Sequence, residues 1–117
     1  MERPTFIPTA HWEILLANGR RTASGEEHDP APAIKIFLTG SAATWLLTEV
    51  DPSEPDRAFG LCDLGLGYPE LGYVSLAELA SVTGPLGLHI EHDEHFRSIE
   101  RISVHAANAR ANGRIAA

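Results

Sequence analysis

The stretch RAFGLCDLGL, residues 57–66, constrains the fold more than any other part of the chain. With the two-residue period of a strand, Phe59 and Leu61 fall on one face, and Cys62, Leu64 and Leu66 on the other. An apolar set on both faces suits a central strand covered on each side. Gly65, Gly67 and Pro69 follow, then LGYVS (71–75), so the chain turns a glycine-rich corner and returns as a neighbouring strand. Upstream, ATWLLTEV (43–50) is rich in β-branched and aromatic residues. It ends at DPSEPD, a two-proline turn in which Asp51 and Asp56 can satisfy local backbone groups. IKIFL (34–38) reads as a further strand before the turn Thr39-Gly40-Ser41. A chain of 117 residues built on such a sheet is one domain with a single modest core.

Helices flank these strands. Ser75 with Glu78 forms a capping box, Val74 and Leu79 supply its hydrophobic staple, and a helix is expected from about Leu76 to Val82, stopped by Gly84-Pro85. TAHWEILLANG is a short helix with Thr9 as N-cap, Trp12, Leu15 and Leu16 on one face, and Asn18-Gly19 as the stop. Residues 20–33 collect Ser, Gly, Asp and Pro without apolar periodicity and read as a surface loop. GLHIEHDEHF suits a short extended segment. ISVHAANARANG is helical, with Ile99, Ile102, Ala106 and Ala109 spaced for one face, Gly113 beyond its end and 113–117 as a flexible tail. The order implies an α+β domain, a small antiparallel sheet of three to four strands flanked by short helices.

Charge narrows the function. Net charge is −7, and residues 38–96 hold ten acids against one base, Arg57. Phosphate-backbone binding draws on Lys and Arg, so direct nucleic-acid binding is disfavoured. Only the C-terminal arginines Arg97, Arg101, Arg110 and Arg114 could support it weakly. No apolar run approaches the roughly 20 residues that span a bilayer, and the N-terminus lacks a signal-peptide core, so no membrane is expected and the cytoplasm is the default location. One cysteine fits a reducing compartment.

The candidate chemistry is sparse. GLGYPELG spaces its glycines as neither the dinucleotide fingerprint nor the P-loop, and it lacks the P-loop lysine. Cys62, in an apolar strand without a neighbouring base, reads as a packed thiol. His89, His92 and His95 recur every third residue among Glu91, Asp93 and Glu94. They could offer nitrogen and oxygen ligands to Zn²⁺ in a metal-dependent hydrolase working with Asp63 or Glu70. Asp63 shares a face with Phe59 and Leu61, so burial there would demand a partner such as Lys35, Arg57 or backbone amides. No catalytic residue and no cofactor is assigned.

The runs ATWLLTEVDPSEPDRAFGLCDLGLGYPELGYVSLAEL and GPLGLHIEHDEHF, with LLANG and IKIF before them, resemble the domain-of-unknown-function family 2958 over nearly the whole chain. The resemblance implies a small protein of bacterial plasmids, integrative elements and phages, from regions that also carry anti-restriction and partition-type genes, with no settled enzymatic activity. In the family pattern the histidine segment reads closer to L-P-I-E-R-D-x-H-F. His89 and His92 here stand where proline and arginine are common, so a three-histidine site would be particular to this chain. The matched polar positions, Glu49, Asp51, Asp63, Glu70, Tyr73 and Glu91, are the candidate binding surface. The expected function is that of a mobile-element accessory protein, anti-defence in kind (anti-restriction or anti-CRISPR), acting as a monomer or homodimer. Its acidic surface would engage a protein partner, such as a nucleic-acid-binding host or defence component.

Overall fold

A computed structural model describes residues 2–117. Among them, α1 (Thr9–Ala23), α2 (Leu76–Ser81) and α3 (Ile102–Asn112) pack around a five-stranded antiparallel sheet. The strands are β1 (Ile34–Leu38), β2 (Thr44–Asp51), β3 (Glu54–Asp63), β4 (Glu70–Ser75) and β5 (Ile90–His92), in spatial order β4-β3-β2-β1-β5. The class is α+β, as expected, with one strand beyond the three to four. The extra strand is β5, which is recruited by the open edge of β1 through the pairs Ile36–His92, Phe37–Glu91 and Leu38–Ile90. No helix among the described residues is long and apolar enough to cross a membrane.

α1 does not stop at Asn18-Gly19 but continues to Ala23, taking the first residues of the expected 20–33 loop. Both supposed stop residues are contact residues. Gly19 is buried where the helix crosses β2, and a Cβ there would sit 1.8 Å from the Val50 carbonyl oxygen. Asn18 Nδ2 donates to the Thr48 carbonyl at 2.9 Å. That carbonyl lies at a β-bulge, where the β2–β3 register shifts between Leu47 and Glu49. The shift has a large consequence. Leu47 and Val50 both join the core under α1, while Glu49 is turned to pair with Phe59 on the opposite face.

The two faces carry separate cores. Under α1 lie Leu15, Ile34, Ile36, Trp45, Leu47 and Val50, with Leu76 and Leu79 of α2 closing one side. Under α3, Leu46 and Leu61 meet Ile102, Ala106 and Ala109, flanked by Phe96 and Leu71. β3 is therefore an interior strand covered on both sides, next to the β4 edge while β2 takes the centre, and it ends at Asp63. Leu64 and Leu66, expected to extend one of its faces, are instead exposed in the corner (61% and 73%). Gly65 and Gly67 there have φ of +80° and +88°, a region that L side chains rarely adopt.

Asp63, 2% exposed, holds this corner and the C-terminus together. Its Oδ1 accepts from Gly65 N and its Oδ2 from Ile115 N, both at 2.8 Å. Farther along the same segment, Lys35 Nζ donates to the Ala117 carbonyl at 2.5 Å. The capping box forms as read: Ser75 Oγ accepts from Glu78 N at 3.2 Å. Asp56 supports it, accepting from Ser75 Oγ (2.7 Å) and Ala77 N (2.8 Å). At α3 the helix starts only at Ile102, leaving Ile99 97% exposed instead of on the helix face. Its first turn is held by the 24–33 segment, with Ile102 N donating to the Pro30 carbonyl at 2.9 Å and Asp29 accepting from Ser103 N and Oγ.

Candidate functional site

The β2–β3 turn, the start of β3 and the cap of α2 come together at one end of the sheet. Asp51 pairs across the hairpin with Glu54, and Asp56 bonds the α2 cap that carries Glu78. Glu49 lies just inside this end, turned there by the bulge. Five acids thus share one end of the molecule with a single strand-borne base, Arg57. Bonding keeps two of them charged. Asp51 is held below the usual carboxylate range by the Ser53 hydroxyl and amide, and Asp56 by the Ser75 hydroxyl and the Ala77 amide.

A groove of about 100 Å³ opens within this end, lined by Gly19 and Thr22 of α1 and by Glu49, Asp51, Phe59 and Tyr73 of the sheet, with Arg57 at its side. The Arg57 guanidinium stacks on the Tyr73 ring, 3.8 Å from its centroid, and Phe59 meets the same ring edge-on at 5.0 Å. Cross-strand register explains the pairing, since Phe59 lies opposite Tyr73 on one side and Glu49 on the other.

Behind the groove, Thr22 Oγ1 donates to Glu49 Oε1 at 3.0 Å. Its one proton being committed, it accepts from His28 Nε2 at 2.8 Å. His28 is nine-tenths buried, its Nε2 lies 4.0 Å from the carboxylate, and its Nδ1 has no partner among the described residues. In a nucleophilic triad the imidazole takes the hydroxyl's proton. Here the carboxylate accepts the hydroxyl's hydrogen bond, so the chain positions Glu49. Neither Thr22 nor His28 was legible from sequence: they lie 27 and 21 residues from Glu49, with only the bulge to connect them.

The six candidate surface residues separate. Glu49, Asp51 and Tyr73 line the groove. Asp63 is buried and committed to two backbone amides, so it offers no surface. Glu70 starts β4 at the opposite end of that strand from Ser75 and Asp56, and Glu91 on β5 accepts from Thr39 Oγ1 at 2.7 Å. The three histidines do not converge either. His89 bridges to Thr83, His92 stands beside His11 (ring centroids 6.0 Å apart), and the His95 amide bonds Asp93. Among the described residues no group of three or more His, Cys, Asp or Glu could hold a metal ion. Burial pushes the Cys62 thiol up to about 11, so it is protonated and unreactive at neutral pH. Arg101 precedes α3, while Arg110 and Arg114 flank its far end, so the C-terminal arginines form no single stripe.

The class these features define is a small α+β protein: a five-stranded antiparallel sheet with helices on both faces and a small groove at one end. The chain belongs to the family described as protein of unknown function (DUF2958), whose profile matches residues 6–116. No curated protein and no solved structure matches it.

Proposed function

We propose that the protein works by binding, engaging a basic protein surface with the acidic end of its sheet as an accessory factor of a mobile genetic element, anti-defence in kind. The supporting observation is the gathering of Glu49, Asp51, Glu54, Asp56 and Glu78 at one end, from three chain segments that the fold brings together. One-sided charge of this kind steers association with an oppositely charged site. A nucleic-acid-binding component of the host or of a defence system fits as partner, because its basic groove is a surface such acids can occupy. The donor geometry around Thr22 and the scattered histidines give hydrolysis no comparable support.

The test is affinity capture of the tagged protein from host lysate at about 50 and 500 mM salt, Debye lengths of roughly 14 and 4 Å. A stoichiometric protein held at low salt and released at high salt is expected. The double variant Glu54→Gln/Glu78→Gln, which leaves the bonded Asp51 and Asp56 intact, should capture much less of it. A partner retained equally at both salts, or captured equally by the variant, would refute the acidic-surface reading.

A further inference from the structure

The two edges of the sheet differ. β5 is three residues long, and the chain before it folds into a bridge between Thr83 and His89. β4 is six residues long, Glu70–Ser75, and no segment among the described residues pairs with its outer side. The register shows which groups face outward. The Phe59 carbonyl accepts from Thr48 Oγ1 on β2, so by strand alternation Gly60 faces β4 and bonds its partner Gly72. Leu71 and Tyr73 therefore turn their N–H and C=O groups away from the sheet. Native edges are commonly blunted by a lysine, a proline or a bulge. β4 has none of these.

Gly72, in the middle of this edge, has no cause inside the chain. Its φ lies outside the left-handed region, and a Cβ there would meet nothing within 4 Å. Its partner Gly60 is the opposite case, since a Cβ there would sit 2.0 Å from the Leu46 carbonyl oxygen. A strand glycine free of internal crowding suits a place where another chain approaches closely. Charge then selects that chain. Glu70 stands at one end of β4, and Asp56 and Glu78 gather at the α2 cap at the other. The one base on β3 and β4, Arg57, is stacked on Tyr73. A second copy paired antiparallel would bring its own Glu70 towards Asp56 and Glu78, like charge against like.

We propose that β4 takes an added β-strand from a basic partner protein, an extended segment in which apolar and basic residues alternate. Main-chain hydrogen bonds to Leu71 and Tyr73 hold it, as in other strand additions to an open sheet edge. Residues opposite Leu71 and Tyr73 share their face, so the apolar side chains cover the Tyr73 ring, which is 56% exposed. Residues opposite Gly72 share the other face with Glu70, and their basic side chains cross the open ground to reach that carboxylate. The partner's charge rests on the acidic-end reading, and the backbone ladder is the added element.

The test uses the full-length protein, ¹⁵N-labelled, at about 50 mM salt with a capped peptide of three Val-Lys repeats as probe. The Leu71 and Tyr73 amides should gain at least about tenfold protection from exchange at saturating peptide, while Gly72 and Val74, already bonded to β3, change little. A peptide of three Pro-Lys repeats has the same charge but lacks the N–H groups that would face β4, so it should bind at least about tenfold more weakly. Gly72→Lys, which has room for its side chain, puts a positive charge under the strand and should weaken the Val-Lys peptide by about tenfold. Asn112→Lys, the same charge change at the end of α3, should bind it as the native protein does. Equal binding of the two peptides, or binding without protection at Leu71 and Tyr73, would overturn strand addition and leave the acidic-end reading standing. No binding up to about 5 mM would overturn it as well. The exchange readout needs no variant, so a misfolded Gly72→Lys would not shelter the proposal.

Discussion

The two faces of the sheet are covered by helices, yet they are held in different ways. On the α1 face large side chains do the work: Leu15, Trp45, Leu47, Val50 and Leu76 are all buried, and apolar burial at about 25 cal/mol per Å² is the main stabilising term there. On the α3 face the helix contributes one isoleucine and two alanines, Ile102, Ala106 and Ala109, which bury little area each. Its position depends instead on polar ties at both ends. Asp29 and Pro30 hold its first turn, Ser98 bonds His105 at 2.7 Å, and Asp63 holds Ile115 beyond its last turn. A face held by area resists local opening, whereas one held by a few directional bonds can come off when any of them fails.

The largest expected effect tests the area side. Leu47→Ala opens a cavity in the fully buried α1 core and should cost about 2–5 kcal/mol in denaturant unfolding. Leu61→Ala, equally buried but under α3, should cost less, because a loosely held helix can settle into the space. Equal losses for the two variants would break the comparison, since both faces would then be equally rigid.

Asp63→Ala comes next. It leaves the Gly65 and Ile115 amides without their acceptor, at about 1–3 kcal/mol, and removes the tie between the corner and the C-terminal segment. Amide hydrogen exchange should speed up through α3 and residues 113–115, with α1 and β2 unchanged. Uniform acceleration across all elements would mean that the two faces open together.

The legible and illegible parts of this molecule divide along the same physical line. The Ser75–Glu78 capping box and the apolar faces of β3 were readable because their signals lie within a few residues of each other. From sequence alone Gly19 reads as a helix stop, because the reason for a glycine there, the Val50 carbonyl, belongs to another element. β5 reads from sequence only as an extended segment, since three residues have too short a pattern to announce a strand without the β1 edge. The candidate groove was half visible. Glu49, Asp51 and Tyr73 stand out in the sequence, but the bulge at Thr48 that aims Glu49, and the Thr22 and His28 that hold it, exist only as contacts across the fold.

The smallest expected effect concerns pH, and it sharpens the contrast between faces. The Ser103 hydroxyl, ahead of its amide and the Arg101 charge, holds the Asp29 pKa below its ordinary 3.8. A carboxylate with a lowered folded pKa contributes stability that is complete above the unfolded value and is lost as pH falls through the folded one. His105 is also lowered, by burial, so its contribution is present above 6.5 and declines as pH falls below that value. Both groups sit on the α3 side. Acidification from pH 7 should therefore first lower exchange protection in α3, measured against the intrinsic rate at each pH, modestly below pH 6.5, as His105 takes up a proton, and again below pH 4 as Asp29 does. Asp29 is nearly fully solvated, so its step should be small. Asp29→Asn should abolish the lower step and leave the upper one in place. An unchanged lower step in that variant would assign it to other carboxylates, among them Asp56 at the α2 cap and Asp93 beside β5, and acid would then loosen both faces alike.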